Sequence, residues 1–193
     1  IYYRLAELDL ARKTYTTALR VVQQGNANRD WNAHILQRMA DIDLQRLDWK
    51  QALRVYEQIR TLAPDDDAAR KQLVELNLRM AQPDKAMSEL ENYMAHLESQ
   101  RKHDVAILFI EDILKEHPDE LILKRALAAQ FHNMGRMDEA ITILDALGES
   151  LMQSGDKLKA QEVINQIVQM NPPNVEDYRK LLFQMQNSYR PGL

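Results

Sequence analysis

The 193-residue chain contains no cysteine, which excludes a disulfide framework, a thiolate nucleophile and a thiolate metal site. That absence leaves the compartment open, and cytoplasm is the default expectation. Glycine and proline are scarce, at five and six residues, and the glycines stand singly. A glycine-rich phosphate loop is therefore excluded. No apolar run approaches the ~20 residues that span a bilayer, and the N-terminus lacks a basic-then-apolar signal pattern, so no membrane partner is expected. Sustained apolar–polar alternation and Asn-Gly turns between β-branched runs are also missing, which leaves no strand signal. The chain opens on Ile1 and not on Met, which predicts a piece of a longer protein.

What remains is charged, apolar and periodic. The net charge of −4 and pI near 5.8 give no pull toward nucleic acid or anionic lipid. The charge is uneven: residues 1–80 hold 13 Lys/Arg and 11 Asp/Glu, whereas residues 81–193 hold 12 and 18. Apolar residues recur at helical spacing throughout, as Ala52, Tyr56, Ile59 and Leu62 do within the stretch 47–64. The periodicity predicts an all-α chain of about 11 helices, near 1–10, 13–25, 30–46, 49–62, 66–80, 84–100, 103–116, 119–134, 138–153, 156–170 and 174–187. Asp65, Asp66 and Asp67 offer N-cap oxygens after Pro64, and Asp84, Asp119 and Asp138 are expected to cap theirs. Pro64, Pro118 and Pro172 each end a helix. Linkers of two to five residues make neighbouring helices antiparallel.

Catalytic and metal signals are weak. His34, His96, His103, His117 and His132 form no metal-ligand spacing. The Asp65–Asp67 run lacks the glycine and distal glutamate of a calcium loop. No serine sits in a strand–turn–helix elbow. Carboxylate pairs such as Asp41/Asp43 and Glu111/Asp112 read as solvated helix faces. Trp31 and Trp49 read as packing residues and the nine methionines as flexible core filler. Hence no enzyme, no metal and no cofactor is expected.

Two repeat periods are written into the chain. Alanines 18, 52 and 86 are spaced by 34, as are 106 and 140, and each is followed four residues later by Val22, Tyr56, Leu90, Ile110 or Leu144. The pairs Ala52/Pro64, Ala106/Pro118 and Ala160/Pro172 recur every 54 residues. The second spacing aligns Leu36, Leu90 and Leu144, and likewise Ile59, Ile113 and Ile167.

A helix–turn–helix of 34 residues with small residues at fixed positions resembles the tetratricopeptide repeat. Leu36-x-x-Met39-Ala40, Ala52, Tyr56 and Pro64 match its pattern, as do Leu147-Gly148-x-x-Leu151, Gly155, Ala160, Ile164 and Pro172. The resemblance implies an α-solenoid array of antiparallel helical hairpins in a single domain over 1–193. Regular 34-residue repeats cover about 1–98, and 54-residue three-helix units cover about 30–83, 84–137 and 138–191. The helices near 84–100 and 138–153 carry both second-helix and first-helix patterns, so neighbouring repeats are expected to share them. A superhelix is expected to change direction at each. It implies further that inward-facing first-helix residues line a groove: Tyr3, Arg4 and Glu7; His34, Gln37, Arg38 and Asp41; Lys71, Gln72, Glu75 and Arg79. Arg38, Lys71 and Arg79 would form a basic strip suited to an acidic peptide or helix. The family's carboxylate clamp is not matched, because Tyr3, Glu7, Arg38, Ala68 and Gln72 occupy its positions. The expected function is a non-enzymatic protein-binding scaffold. The alternatives are self-association as a homo-oligomer or a regulatory domain of a larger protein, with RNA binding disfavoured by charge.

Overall fold

The computed structural model describes residues 2–25 and 29–187, with side chains from 6 to 25 and from 30 to 187. Among these residues every regular element is a helix: α1 (Tyr2–Gln24), α2 (Arg29–Gln45), α3 (Trp49–Leu62), α4 (Asp67–Arg79), α5 (Pro83–Ser99), α6 (His103–Glu116), α7 (Leu121–Asn133), α8 (Met137–Gln153), α9 (Lys157–Met170) and α10 (Val175–Asn187). Ten helices stand where about eleven are predicted, because 1–10 and 13–25 form one helix. No glycine or proline interrupts Leu10-Ala11-Arg12-Lys13. The Thr14, Thr16 and Thr17 hydroxyls donate to the carbonyls four residues back, at 2.9, 2.8 and 3.1 Å, so these residues are satisfied inside the helix.

The bounds repeat. The helices α2, α5 and α8 are each 17 residues long, α3, α6 and α9 each 14, and α4, α7 and α10 each 13. Within each triplet the starts lie 54 residues apart. Asp66 caps α4 by accepting from the Ala69 N–H at 3.0 Å. Asp48 and Asp156 do the same for Gln51 and Lys159, at 3.1 and 3.2 Å. The other three expected caps are corrected. Asp84 and Asp138 lie inside the first turns of α5 and α8, where they complement the helix dipole. Asp119 precedes the cap residue Glu120 and instead pairs with Lys124 at 4.0 Å. The turns ahead of α7 and α8 position Glu120 and Arg136 at the caps, and neither makes a side-chain cap bond.

Five inter-helix turns share one geometry. The N–H groups of Asp48, Gln82, Lys102, Arg136 and Asp156 each reach the carbonyl five residues back at 2.9 Å. The preceding residues, Leu47, Ala81, Arg101, Gly135 and Gly155, have φ between 54° and 84°. This is the Schellman stop, whose left-handed residue favours glycine. Three of the five carry a side chain there, at a cost of about 1 kcal/mol each. Leu47→Gly and Arg101→Gly, both at exposed positions, should each raise the urea midpoint, by an amount equivalent to about 1 kcal/mol. An unchanged or lowered midpoint would show that the turn is not strained.

The chain divides into two compact units, residues 1–96 and 97–193, with the boundary inside α5. In the first unit, successive helices α1 to α4 pack pairwise. Leu36, Met39 and Ala40 of α2 meet Ala52, Val55, Tyr56 and Ile59 of α3 and Ala69, Leu73 and Leu76 of α4. Ala18 and Val22 of α1 close the cluster from the other side. The small alanines let helix backbones approach where larger side chains would collide.

One carboxylate is misplaced by the sequence reading. Asp43 is not solvated but fully buried, and the Arg12 Nε lies 2.9 Å from both of its oxygens. Arg46 approaches the same carboxylate at 3.8 Å and also pairs with Asp9 at 2.9 Å. The place of Asp43 in the sequence beside other charged residues gave no sign of burial; the approach of α1 is what encloses it.

The part of α5 in the first unit docks through polar contacts around buried Ala86, Leu90 and Tyr93. The Tyr93 hydroxyl donates to Asp67, and Arg60 pairs with Glu89. The buried Arg70 guanidinium donates to Asn92 at 2.8 Å and to the Pro64 carbonyl at 3.1 Å, and lies 5.0 Å from the Tyr93 ring centre. His96 Nε2 lies 2.7 Å from Asp65. Each residue of the Asp65–Asp67 run thus has a different structural partner. In the second unit α6 to α10 again pack in succession. Leu182 and Met185 of α10 meet Ala160 and Ile164 of α9, and Arg125 of α7 donates to Gln166 of α9 at 2.8 Å.

Candidate functional site

In the first unit the candidate face is built on α2 and α4, with one side chain from α3. Gln37 and Asp41 stand one turn apart on α2, and Gln37 Nε2 donates to Asp41 at 3.4 Å and to the Tyr56 hydroxyl at 3.4 Å. Tyr56 itself is buried in the α3 core. Its pKa is pushed up to about 12, first by burial and then by the negative charge of Asp41, with Asp66 and Glu75 adding to it. Among the bonds described, the partner of this hydroxyl is Gln37 of α2. On α4, Gln72 donates to Glu75 at 3.0 Å, and Lys71 lies 3.5 Å from the other Glu75 oxygen. Arg38 pairs with Asp41 at 3.5 Å while its side chain remains 68% exposed.

Six of the eleven predicted residues are thus brought into two contiguous groups: Gln37, Arg38 and Asp41, and Lys71, Gln72 and Glu75. The other five are not. Glu7 and His34 are exposed on α1 and α2. Arg79 is turned over the Trp49 ring, 5.6 Å from its centre. The side chains of Tyr3 and Arg4 lie outside the described residues. The expected basic strip is a row in which Arg38 and Lys71 each have an acidic neighbour on their own helix and Arg79 has an aromatic one. Tyr56 is the residue that the sequence reading assigned to the core alone. Its signal was available: a tyrosine at a fully buried position needs a partner for its hydroxyl, which leucine or phenylalanine would not.

The second unit has its own opening, a cavity of about 320 Å³ between α8, α9 and α10. Leu144, Gly148, Ile164 and Ile167 form its apolar base, with Met152 and Leu181 beside it. Asp145, Glu149, Gln153 and Tyr178 are its polar members. The Tyr178 hydroxyl donates to Asp145 at 2.9 Å, which ties α10 to α8. Burial first and the bond to Asp145 second raise the Tyr178 pKa, so it remains a neutral donor.

Among the described residues no group of three or more His, Cys, Asp or Glu has the geometry to hold a metal ion. Among them, too, no helix is long and apolar enough to cross a membrane.

Comparison with known proteins locates the repeat. The family model described as tetratricopeptide repeat matches residues 43–99, from the end of α2 through α5. Among solved structures the chain is similar to a tetratricopeptide repeat protein from Parabacteroides merdae, at 16% identity over 96% of this chain and 80% of that one, with a TM-score of 0.38. It is similar to MamA protein at 14% identity, over 83% and 97% of the two chains, with a TM-score of 0.41. It is also similar to the TPR2AB domain of yeast Sti1, solved in complex with pHSP90, at 12% identity, over 95% and 81%, with a TM-score of 0.37. No protein of curated function matches. The chain thus carries a stretch matched as a tetratricopeptide repeat over 43–99, with further helical hairpins on either side of it.

Proposed function

We propose that the chain is a non-enzymatic scaffold that holds a segment of another protein against the face shared by α2 and α4. What supports this reading is the chain of polar contacts in which Gln37 of α2 donates both to Asp41 and to the hydroxyl of the buried Tyr56. Donors and acceptors fixed in this way on a helix face suit a binding role. An acidic partner segment would engage Arg38 and Lys71. The Arg38–Asp41 pair is exposed and of the kind worth at most about 1 kcal/mol, so Arg38 exchanges it for a partner's carboxylate at little cost, whereas Lys71 would keep its pairing with the buried Glu75. Charge of this kind sets the partner's register and encounter rate.

The test is a titration. A partner recovered with the purified chain is measured against wild type and against Arg38→Glu/Lys71→Glu, which reverses both cations, with helical circular dichroism checking that Lys71→Glu beside the buried Glu75 leaves the fold intact. Binding should weaken by about tenfold or more, equivalent to about 1.4 kcal/mol. Equal affinity for both proteins would remove this face as the site.

Self-association is the second reading, and one feature favours it. Leu10 and Val21 of α1 are 68% and 63% exposed. Val21 lines an open hollow with Thr14, Thr17, Ala18 and Val22. A concentration-independent monomer mass in solution would dismiss it.

A further inference from the structure

We propose that residues 83–96 of α5 form a polar latch that releases from α3 and α4 ahead of the rest of the fold. This goes beyond the scaffold reading and does not depend on what the α2–α4 face holds. By the 54-residue recurrence, α5 stands after α4 as α8 stands after α7. Both helices carry the same apolar stripe: Ala86 and Leu90 on α5, Ala140 and Leu144 on α8, all completely buried. They differ in what surrounds it. On α5 the stripe is flanked by the pairs Arg60–Glu89, Arg70–Asn92, Asp67–Tyr93 and Asp65–His96. The equivalents of Arg60 and Glu89, 54 residues on, are Leu114 and Ile143, and those of Asp67 and Tyr93 are Leu121 and Leu147. Arg70 and Asn92 give way to Lys124 and Ala146, and Lys124 pairs instead with Asp119 of the loop before α7, at 4.0 Å. Asp65 and His96 give way to Asp119 and Ser150. A polar rim at one junction is thus replaced, pair by pair, at the next.

Taking ions out of water carries a cost that leucine and isoleucine do not incur. The Glu89 side chain is only 16% exposed, and among the described residues its second oxygen is buried without a hydrogen-bond partner. The Arg70 guanidinium is buried as well, and its pKa is lowered, first by that burial and then by the charge of Arg60. Around equal apolar stripes, the junction that must desolvate charges is the weaker one, and salt stabilises those charges once they separate. A segment held in this way opens by local unfolding while its neighbours stay folded. An independent observation coincides with it. The chain's two compact units part inside α5, between His96 and Leu97, immediately past the last latch residue. No such division falls in α8. Release bares Ala86, Leu90 and Tyr93, whereas α2, α3 and α4 keep their own core of Leu36, Tyr56, Ile59 and Leu73.

Hydrogen–deuterium exchange of the whole chain, read by mass spectrometry on peptides covering 83–96 and 137–150, tests this. In wild type the α5 amides should be protected about tenfold less than the α8 amides. Raising sodium chloride to about 1 M should lower α5 protection further and leave α8 protection unchanged. The variant Arg60→Leu/Glu89→Ile copies the residues of the second junction. It should raise α5 protection about tenfold and remove its salt dependence. Equal protection of the two helices in wild type would overturn the proposal. So would a folded double variant in which α5 protection is unchanged. If that variant loses its helical circular dichroism, the wild-type salt series decides. A parallel response of α5 and α8 to salt, or none in α5, would then overturn the latch.

Discussion

Asp43→Ala should lower the stability of the first unit by about 3–5 kcal/mol, the range for breaking a buried ion pair from one side. The carboxylate is fully buried, and the Arg12 side chain that meets it is only 13% exposed. Removing Asp43 leaves the Arg12 guanidinium enclosed between α1 and α2 without its counter-ion, and Arg46 loses one of its two acidic neighbours. The double variant Arg12→Met/Asp43→Leu should recover most of the loss, because both desolvated charges are then gone. Trp31 and Trp49, the chain's two tryptophans, both lie in the first unit, so tryptophan fluorescence during urea unfolding reads this region. If the single variant unfolds within about 0.5 kcal/mol of wild type, as surface substitutions do, the ion cluster does not hold α1 to α2.

Ile59→Ala should cost about 2–5 kcal/mol, and Ala52→Leu about 1–3 kcal/mol, although the two change volume in opposite directions. Ile59 and Ala52 are both completely buried and lie in the same cluster with Leu36, Ala40 and Leu73. Truncating Ile59 opens a cavity between α3 and its neighbours that rigid helices cannot collapse to fill. Enlarging Ala52 pushes apart backbones that approach closely because the side chain is a single methyl. If the repeat tolerated any apolar residue at these positions, Ala52→Leu would be neutral or stabilising by its added hydrophobicity. Unfolding midpoints by fluorescence decide between these outcomes. A stabilised Ala52→Leu would mean that the small residue reflects something other than helix spacing.

Much of this fold was legible in one dimension. Helical period, isolated prolines and buried alanines are local properties, and they locate helices, their ends and the small-residue contacts. The single run of α1 escaped because the break was expected at Ala11 and Arg12, where no glycine, proline or capping side chain stands to end a helix. The caps expected at Asp84, Asp119 and Asp138 do not form, because a capping oxygen works only at one position relative to the first turn, and that turn is set by the loop before it.

The site divides along the same line. The sequence by itself determined the all-helical repeat, the 54-residue recurrence, and which residues stand on one side of α2 or of α4, since side-chain direction along a helix follows from its period. Only the tertiary structure decided that Asp43 is enclosed by Arg12, that the Tyr56 hydroxyl is met by Gln37, that Arg79 covers Trp49, and that Tyr178 ties α10 to Asp145 of α8. Each of these depends on the distance between helices that are far apart in the chain, and helical period carries no information about that distance.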